Sequence, residues 1–376
     1  MFDSVVTYNF PALIRFGQGA VKELAPHLKQ QNLKRPLFVT DKNLSQLGFF
    51  KAIIKDLEQQ GLDVKTYCEI SKNPVKSDVH RGAEYFNQES RDSIIGIGGG
   101  ASLDVARAIA LKANHCEDLF HYEETSGGDQ FITGEIPYFV AIPTTSGTGS
   151  EVGRSSIISD DTSHEKKILF SPKLLAKLVL ADPLLTMELP PFVTAATGVD
   201  ALTHNIEAYV AKMFHPICEG IALEGIKLIK DCLEQATHSP TIASRGKMMM
   251  ASLMGAVAFQ KGLGVVHSLA HPMSTLFDTH HGLANALNLP YGVRFNQSVV
   301  PDKMKTIASI FKTDNLFGSL LDYNHKLGLP QNLRSQNIQE TDLDRLSELA
   351  FLDFCHPNNP RACTQNDFRQ LYQEAL

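Results

Sequence analysis

Asp200 and His204 stand four residues apart, and so do His267 and His271. On a helix that spacing puts both side chains on one face, one turn apart, where two donors can share a cation. His280-His281-Gly282 adds a further pair ten residues after His271. With 14 histidines in the chain, one such pair is expected by chance. Three groups in the same half of the chain point instead to a metal site. A mixed Asp/His set without thiolate suits Fe²⁺, Zn²⁺ or a similar first-row ion, and spacing alone leaves that choice open. HExxH is absent, which disfavours a zinc protease. Glu207, three residues after His204, is placed to orient a ligand from outside the ligand set.

Two further segments have the composition of a nucleotide site. Gly96-Ile97-Gly98-Gly99-Gly100-Ala101 follows an apolar run and opens a helical stretch, satisfying GxGxxA. Glycines there let backbone N–H groups approach a pyrophosphate at a helix N-terminus. The expected acidic ribose ligand about 20 residues later would fall near Glu117 and Asp118, which follow no β-like run. Asp41 does end one, but precedes the turn, so the motif order differs from the usual arrangement. The second segment, Pro143-Thr144-Thr145-Ser146-Gly147-Thr148-Gly149-Ser150-Glu151, offers hydroxyl and backbone donors to phosphate, ribose or a nicotinamide amide.

The elements that must hold these residues fall into two halves. Pro36-Leu37-Phe38-Val39-Thr40, residues 63–68, Ser93-Ile94-Ile95-Gly96-Ile97 and Phe139-Val140-Ala141-Ile142 read as strands. Helical periodicity appears around Phe50, Ile53, Ile54 and Leu57 and over residues 103–113. Alternation of this kind implies a mostly parallel sheet covered by helices. From about Pro190 the patterns are long and helical, as over residues 194–211, 217–234 and 246–260. The expected organisation is an α/β dinucleotide-binding domain over residues 1–183 and an all-α metal-binding domain over 184–376, divided at Asp182-Pro183.

Bulk properties narrow the function. A chain of 376 residues is long for one core. Its 43% hydrophobic and 20% charged content is that of a globular protein, and a net charge of −6 disfavours nucleic acid or an anionic membrane as partner. No run approaches the ~18 apolar residues of a membrane span, and residues 1–18 do not read as a secretory signal. Six scattered cysteines without CxxC suggest neither a disulfide framework nor a zinc site, so a reducing cytoplasm is expected.

Taken together these motifs resemble the iron-containing alcohol dehydrogenase family. The resemblance runs from about Phe16 to the C-terminus and is densest over residues 94–290. It includes Gly98-Gly99-Gly100, the 143–151 loop, Asp182-Pro183, Gly198-Val199-Asp200-Ala201-Leu202-Thr203-His204, His267 to His271-Pro272, and His281-Gly282-Leu283-Ala284-Asn285-Ala286. It implies a dehydroquinate-synthase-like fold, NAD as cofactor, and iron, with zinc in some relatives, held by Asp200, His204, His267 and His281. It places His271 in the active site near the nicotinamide. It matches Asp41, Asn73, Gly98, Gly99, Thr144, Thr145 and Lys166 to cofactor-contacting positions, and we add Ser102 and Thr148 from the same two loops. It also implies a homodimer in which residues such as Thr7-Tyr8-Asn9-Phe10 add strands. The chain departs from the family at Ala101-Ser102 (usually Ser-Pro), Arg107 (commonly Lys), His280 (often Pro) and Tyr291 (usually His).

The resulting expectation is an NAD-linked dehydrogenase interconverting a primary alcohol and its aldehyde. The metal would lower the pKa of the alcohol, and His271 would carry the alcohol proton, histidine being the side chain that titrates nearest neutral pH. Asp41 should favour NAD over NADP, because a 2′-phosphate there would meet a carboxylate. The rivals are a dehydroquinate-synthase-like lyase, which would need many basic residues around a phosphorylated substrate, and a metal-containing scaffold without turnover. NADH release on adding alcohols separates all three.

Overall fold

The computed structural model describes residues 12–71, 73–163 and 165–376. The N-terminal segment expected to add strands at a dimer interface, residues 7–10, lies outside them. Two compact units are present. One is α/β and covers the described residues up to Thr186, apart from Ser146–Thr148. The other is helical and comprises Ser146–Thr148 with Met187–Leu376.

The α/β unit contains β1 (Ile14–Phe16), β2 (Pro36–Val39), β3 (Lys65–Tyr67), β4 (Ser93–Gly98), β5 (Tyr138–Pro143), β6 (Ser155–Ser159), β7 (Lys166–Phe170) and β8 (Leu178–Ala181). Among the described residues six strands form one parallel sheet in the order β1-β8-β5-β4-β2-β3. β2, β4 and β8 are buried along their whole length, which is why they read as continuous apolar runs rather than alternating ones. The helices are α1 (Leu24–Gln30), α2 (Lys42–Gln46), α3 (Gly48–Gln59), α4 (Lys76–Gln88) and α5 (Gly100–Ala113). Phe38, Ile95, Ile97, Val140, Ile142 and Leu178 from the sheet pack with Leu24, Leu28, Phe50 and Leu57 in one core cluster. The chain moves outward in one direction from β2 to β3 and in the other from β4 through β5 to β8. The carboxyl ends of β2 and β4 therefore flank a topological switch point, where open sheets of this kind bind ligands.

The helical unit contains α6 (Pro191–Val210), α7 (Pro216–His238), α8 (Ile242–Ala258), α9 (Val265–Phe277), α10 (His281–Asn296), α11 (Pro301–Phe311), α12 (Leu316–Lys326), α13 (Leu343–Leu352) and α14 (Gln365–Ala375). α6 is buried on every side from Thr194 to Val210, the signature of a central helix, and α7, α8 and α10 pack around it. The N-terminus of α10 meets α6 so closely that a Cβ on Gly282 would come within 2.4 Å of the Ala196 carbonyl oxygen. No single described helix is long and apolar enough to cross a membrane. The bent pair Ile242–Lys261 and Val265–Phe277 meets the length and composition of a span only jointly, at 108°, and Met248, Ala251, Val265, Val266, Leu269 and Met273 from it belong to the helical core.

Arg107, where the family commonly has lysine, is wholly buried on α5. Its guanidinium pairs with Asp104 (3.1 Å) and donates to Leu174 O (3.2 Å), Ser155 O (2.5 Å), Ser150 Oγ (3.1 Å) and Ser150 O. One planar fork thus ties α5 to the loop after β5, to the start of β6 and to the chain before β8, which a lysine ammonium could not do at once. Beside it Glu151 is 2% exposed and its Oε1 has no hydrogen-bond partner among the described residues. Burial pushes its pKa up to about 7, against a backbone hydrogen bond and the charge of Arg107. The group is raised in the folded state, so its stabilising contribution is complete below the unfolded carboxyl range and is lost as pH rises to about 7. The loss between pH 4.5 and 8 is on the order of 3 kcal/mol. Glu151→Gln should remove that slope. Urea midpoints of both proteins at pH 5 and pH 8 check it, and an equal decline in the two would assign the slope to other groups.

Candidate metal centre and dinucleotide site

The residues of the expected metal set come together inside the helical unit. Asp200 and His204 lie one turn apart on α6, His267 is in the first turn of α9, and His281 begins α10. Asp200 Oδ1 is 3.5 Å from His281 Nε2, 3.9 Å from His204 Nδ1 and 4.0 Å from His267 Nε2. Donors bound to one ion at 2.0–2.2 Å lie about 3–4 Å from one another. Asp200 (1% exposed), His204 (5%) and His267 (1%) are buried, whereas the His281 side chain is 31% exposed. His204 Nδ1 is a buried nitrogen with no hydrogen-bond partner among the described residues. Asp200, His267 and His281 bring ligand atoms within 4.8 Å of one another, and His204 lies outside that group, with its orphaned Nδ1 3.9 Å from Asp200 Oδ1. A carboxylate with imidazoles is the donor set that a divalent first-row cation requires, so the residues fit the metal.

Electrostatics agree with that use. Burial alone would raise the Asp200 pKa, but His204, His281, His267 and a hydrogen bond from Asn285 outweigh it and hold the carboxyl below its ordinary range. Burial first, and His204 second, push the His267 pKa well below the usual value, so its ring is a neutral lone-pair donor. Glu207 meets one of the ligands from outside the set. Its Oε2 lies 2.6 Å from Nδ1 of His267, and its Oε1 accepts from Val266 N at 2.6 Å. It therefore orients the ligand on α9 rather than His204 on its own helix, leaving Nε2 of His267 facing Asp200.

Two neighbours were missed in the sequence. Asn285 Nδ2 donates to Asp200 Oδ1 at 2.7 Å and lies 3.2 Å from Nε2 of both His267 and His281. It is one turn after His281 on α10, so the i, i+4 rule already applied to the histidines would have found it. Asp353 lies 2.7 Å from Nδ1 of His271, and nothing in its local pattern announces it. The His271 ring itself stacks near His281, centroids 5.4 Å apart.

The expected cofactor residues fall into four groups. Asp41 lies two residues beyond the end of β2, and its Oδ1 caps α2 by accepting from Asn43 N and Leu44 N, both at 2.9 Å. Gly98, Gly99, Ser102, Thr144 and Thr145 collect at the adjoining carboxyl ends of β4 and β5. Thr144 N donates to Gly98 O at 3.0 Å. Gly98 has φ +147°, and a Cβ there would meet Ser102 Cβ and Oγ at 2.7 Å. Gly96 serves packing instead, since its Cβ would meet that of Ala106 at 2.8 Å. Asn73 and Lys166 are exposed and belong to a different assembly. Lys166 pairs with Ser159 in the β6–β7 hairpin, and Ser159 bridges to Val75. Asp104 Oδ2 anchors that hairpin to α5 by accepting from Ile157 N at 3.2 Å. Thr148 falls in the helical unit. Asp118, the other acidic candidate, caps the turn Leu119–Tyr122 and pairs with Lys76 at 3.1 Å.

Comparison with known proteins agrees with this architecture. Residues 11–183 match the model of iron-containing alcohol dehydrogenases, and residues 194–376 match that of the family's C-terminal domain. The chain is 37% identical over 371 residues to a 4-hydroxybutyrate dehydrogenase of Cupriavidus necator, covering 95% of this chain and 96% of the relative. It is 33% identical over 386 residues to an NAD-dependent methanol dehydrogenase of Bacillus methanolicus, covering 99% and 100%. A crystal structure of 1,3-propanediol oxidoreductase superposes with a TM-score of 0.94 at 31% identity, covering 99% and 100%.

The Glu207–His267 pair yields a test that leaves all four donors in place. Glu207→Gln keeps an acceptor for Val266 N and loses the carboxylate facing Nδ1. Metal affinity, measured by chelator competition, should weaken roughly 10–100-fold. Unchanged affinity would remove Glu207 from the account of the site.

Proposed function

We propose that this chain, which belongs to the iron-containing alcohol dehydrogenase family, converts a terminal alcohol and NAD⁺ to the aldehyde, NADH and a proton, and reverses the reaction, through the residues assembled above. Its class is that of a metal-dependent, NAD-linked oxidoreductase acting on alcohols. The observation that carries the residue assignment is the convergence of three imidazoles on the buried carboxylate of Asp200. Methanol, 1,3-propanediol and 4-hydroxybutyrate, for which the relatives are named, all have a terminal hydroxyl.

Asp200, His204, His267 and His281 would hold the metal, and Glu207 fixes the ring of His267. When bound, the metal supplies a Lewis acid and NAD a hydride acceptor. Gly98, Gly99 and Ser102 offer backbone and hydroxyl groups for the pyrophosphate, and Thr144, Thr145 and Thr148 offer hydroxyls to the nicotinamide half. Asn73 and Lys166 are assigned to the outer parts of the same cofactor by family position. His271 carries the proton that leaves the alcohol. It is kept out of the ligand set because four donors are already assigned and a fifth would crowd the position that the alcohol needs; its Nδ1 is engaged by Asp353.

Asp41 is assigned the ribose 2′-hydroxyl. One of its oxygens already caps α2, which fixes the carboxylate just beyond the end of β2. The wild-type enzyme should favour NAD over NADP in kcat/KM by roughly tenfold or more, about 1.4 kcal/mol. Asp41→Gly should narrow the gap while costing only about a few tenths of a kcal/mol in capping. Equal wild-type kcat/KM for the two cofactors contradicts the assignment.

We also propose a homodimer in a reducing cytoplasm. Among the described residues β1 is an edge strand, with Phe16 42% exposed and Leu13, just before it, 57% exposed, and an exposed apolar edge invites pairing. Six cysteines free of disulfides suit the compartment. Light scattering at micromolar concentration should return twice the chain mass, and a monomer would end the dimer proposal.

A further inference from the structure

Asp353 follows the last residue of α13 in extended backbone, φ −71° and ψ 145°, with its side chain 8% exposed. Its two oxygens are used differently. Oδ2 lies 2.7 Å from Nδ1 of His271. Oδ1 accepts from Ser268 Oγ at 2.6 Å and from Cys355 N at 2.9 Å. Ser268 Oγ in turn accepts from His356 N at 2.9 Å, so its one proton is committed to Asp353. The carboxylate is therefore held in a single orientation by a hydroxyl and a backbone amide, with one oxygen left for the imidazole. That imidazole is 18% exposed, sits 5.4 Å from the His281 ring at 19° and 6.0 Å from the His267 ring, and makes no hydrogen bond at Nε2 among the described residues.

We infer that Asp353 is the positioning residue for His271, fixing its tautomer and ring rotation so that Nε2 presents a lone pair to the alcohol proton. The inference rests on the proton-carrying role proposed for His271. A neutral imidazole has two tautomers and two ring orientations, and a carboxylate acceptor at Nδ1 selects the one with Nδ1–H. The proton leaving the alcohol then goes to Nε2 and from there to water, while Asp353 stays ionised, as carboxylates do in comparable acid–base pairs. His271, Asp353 and Cys355 also have the donor types of a second cation site. Against that use, Nδ1 and both carboxylate oxygens are already engaged. Burial, with the charges of Asp353 and Glu207, also pushes the Cys355 thiol pKa well above its ordinary value and keeps it protonated.

Asp353→Asn separates positioning from structure. Ser268 and Cys355 both donate to Oδ1, so the amide oxygen must stay there and the NH₂ group must turn toward His271. An N–H donor facing Nδ1 enforces the opposite tautomer, with the proton on Nε2. The experiment is a double-mutant cycle of His271→Ala and Asp353→Asn on the metal-loaded enzyme, reading kcat, alcohol KM and metal content. Asp353→Asn should lower kcat by roughly 10- to 100-fold, within the range of general acid–base catalysis. KM should change less than about threefold, metal should stay at one equivalent per chain, and no further loss should appear in the His271→Ala background. An unchanged kcat in Asp353→Asn, or an equal loss with and without His271, overturns the inference while leaving His271 its role. Loss of metal in Asp353→Asn assigns the residue to the metal site and overturns it too. An unchanged kcat in His271→Ala removes the proton-carrying role itself. If Asp353→Asn does not fold, Asp353→Glu, which keeps the charge but displaces it by one methylene, runs the same cycle with the same readings.

Discussion

A carboxylate buried in the middle of a helical core is the constraint on which this structure turns. Asp200 is 1% exposed, and an unpaired ion in such a place costs several kcal/mol. The surroundings are arranged to meet that cost. Three imidazoles stand within 4.0 Å and one amide donates at 2.7 Å. Supplying them demands that α6, α9 and α10 approach one another closely. α6 must be buried on all sides, and α10 must begin against α6 at a residue without a Cβ, which is Gly282. The His267 ring must then be held at its far nitrogen, and Glu207 does that from α6. Charge compensation and metal binding thus make the same demands on the packing.

The α/β unit is organised by a different constraint, the need to bring backbone close to a ligand at the carboxyl edge of a parallel sheet. Its devices are local. Gly98 adopts a backbone conformation that a side chain would strain, and Asp41 spends one oxygen on a helix cap so that the other keeps a fixed place. Arg107 ties the loop after β5 to α5. Each is a short-range arrangement around a strand end, which accounts for the legibility of this region in the sequence.

What could be read in advance follows that distinction. Helical pairs at i, i+4 and a glycine turn after an apolar run are encoded over a few residues, so the donors and the nucleotide loops stood out. Glu207 was recognised as an orienting group, but which ligand it orients could not be read, because its partner is set by the crossing of α6 and α9, not by spacing along α6. Asp353 lies 82 residues from His271 in a stretch without periodic motif, and only tertiary packing brings the two together. The β6–β7 hairpin escaped notice because its strands mix serine and lysine with isoleucine and lack a clean alternation. Arg107 was visible only as a departure from the family; its reason, a fully buried fork with acceptors in three segments, required the fold.

The account stands or falls on Asp200 as a metal ligand. The most direct measurement is metal content after anaerobic loading with Fe²⁺, for the wild type and for Asp200→Ala, with circular dichroism to confirm that both are folded. The expected result is close to one metal per wild-type chain and almost none in the folded variant, because a neutral methyl replaces the one anionic donor among three imidazoles. A folded Asp200→Ala protein that still binds one equivalent would contradict the assignment of this cluster as the metal centre.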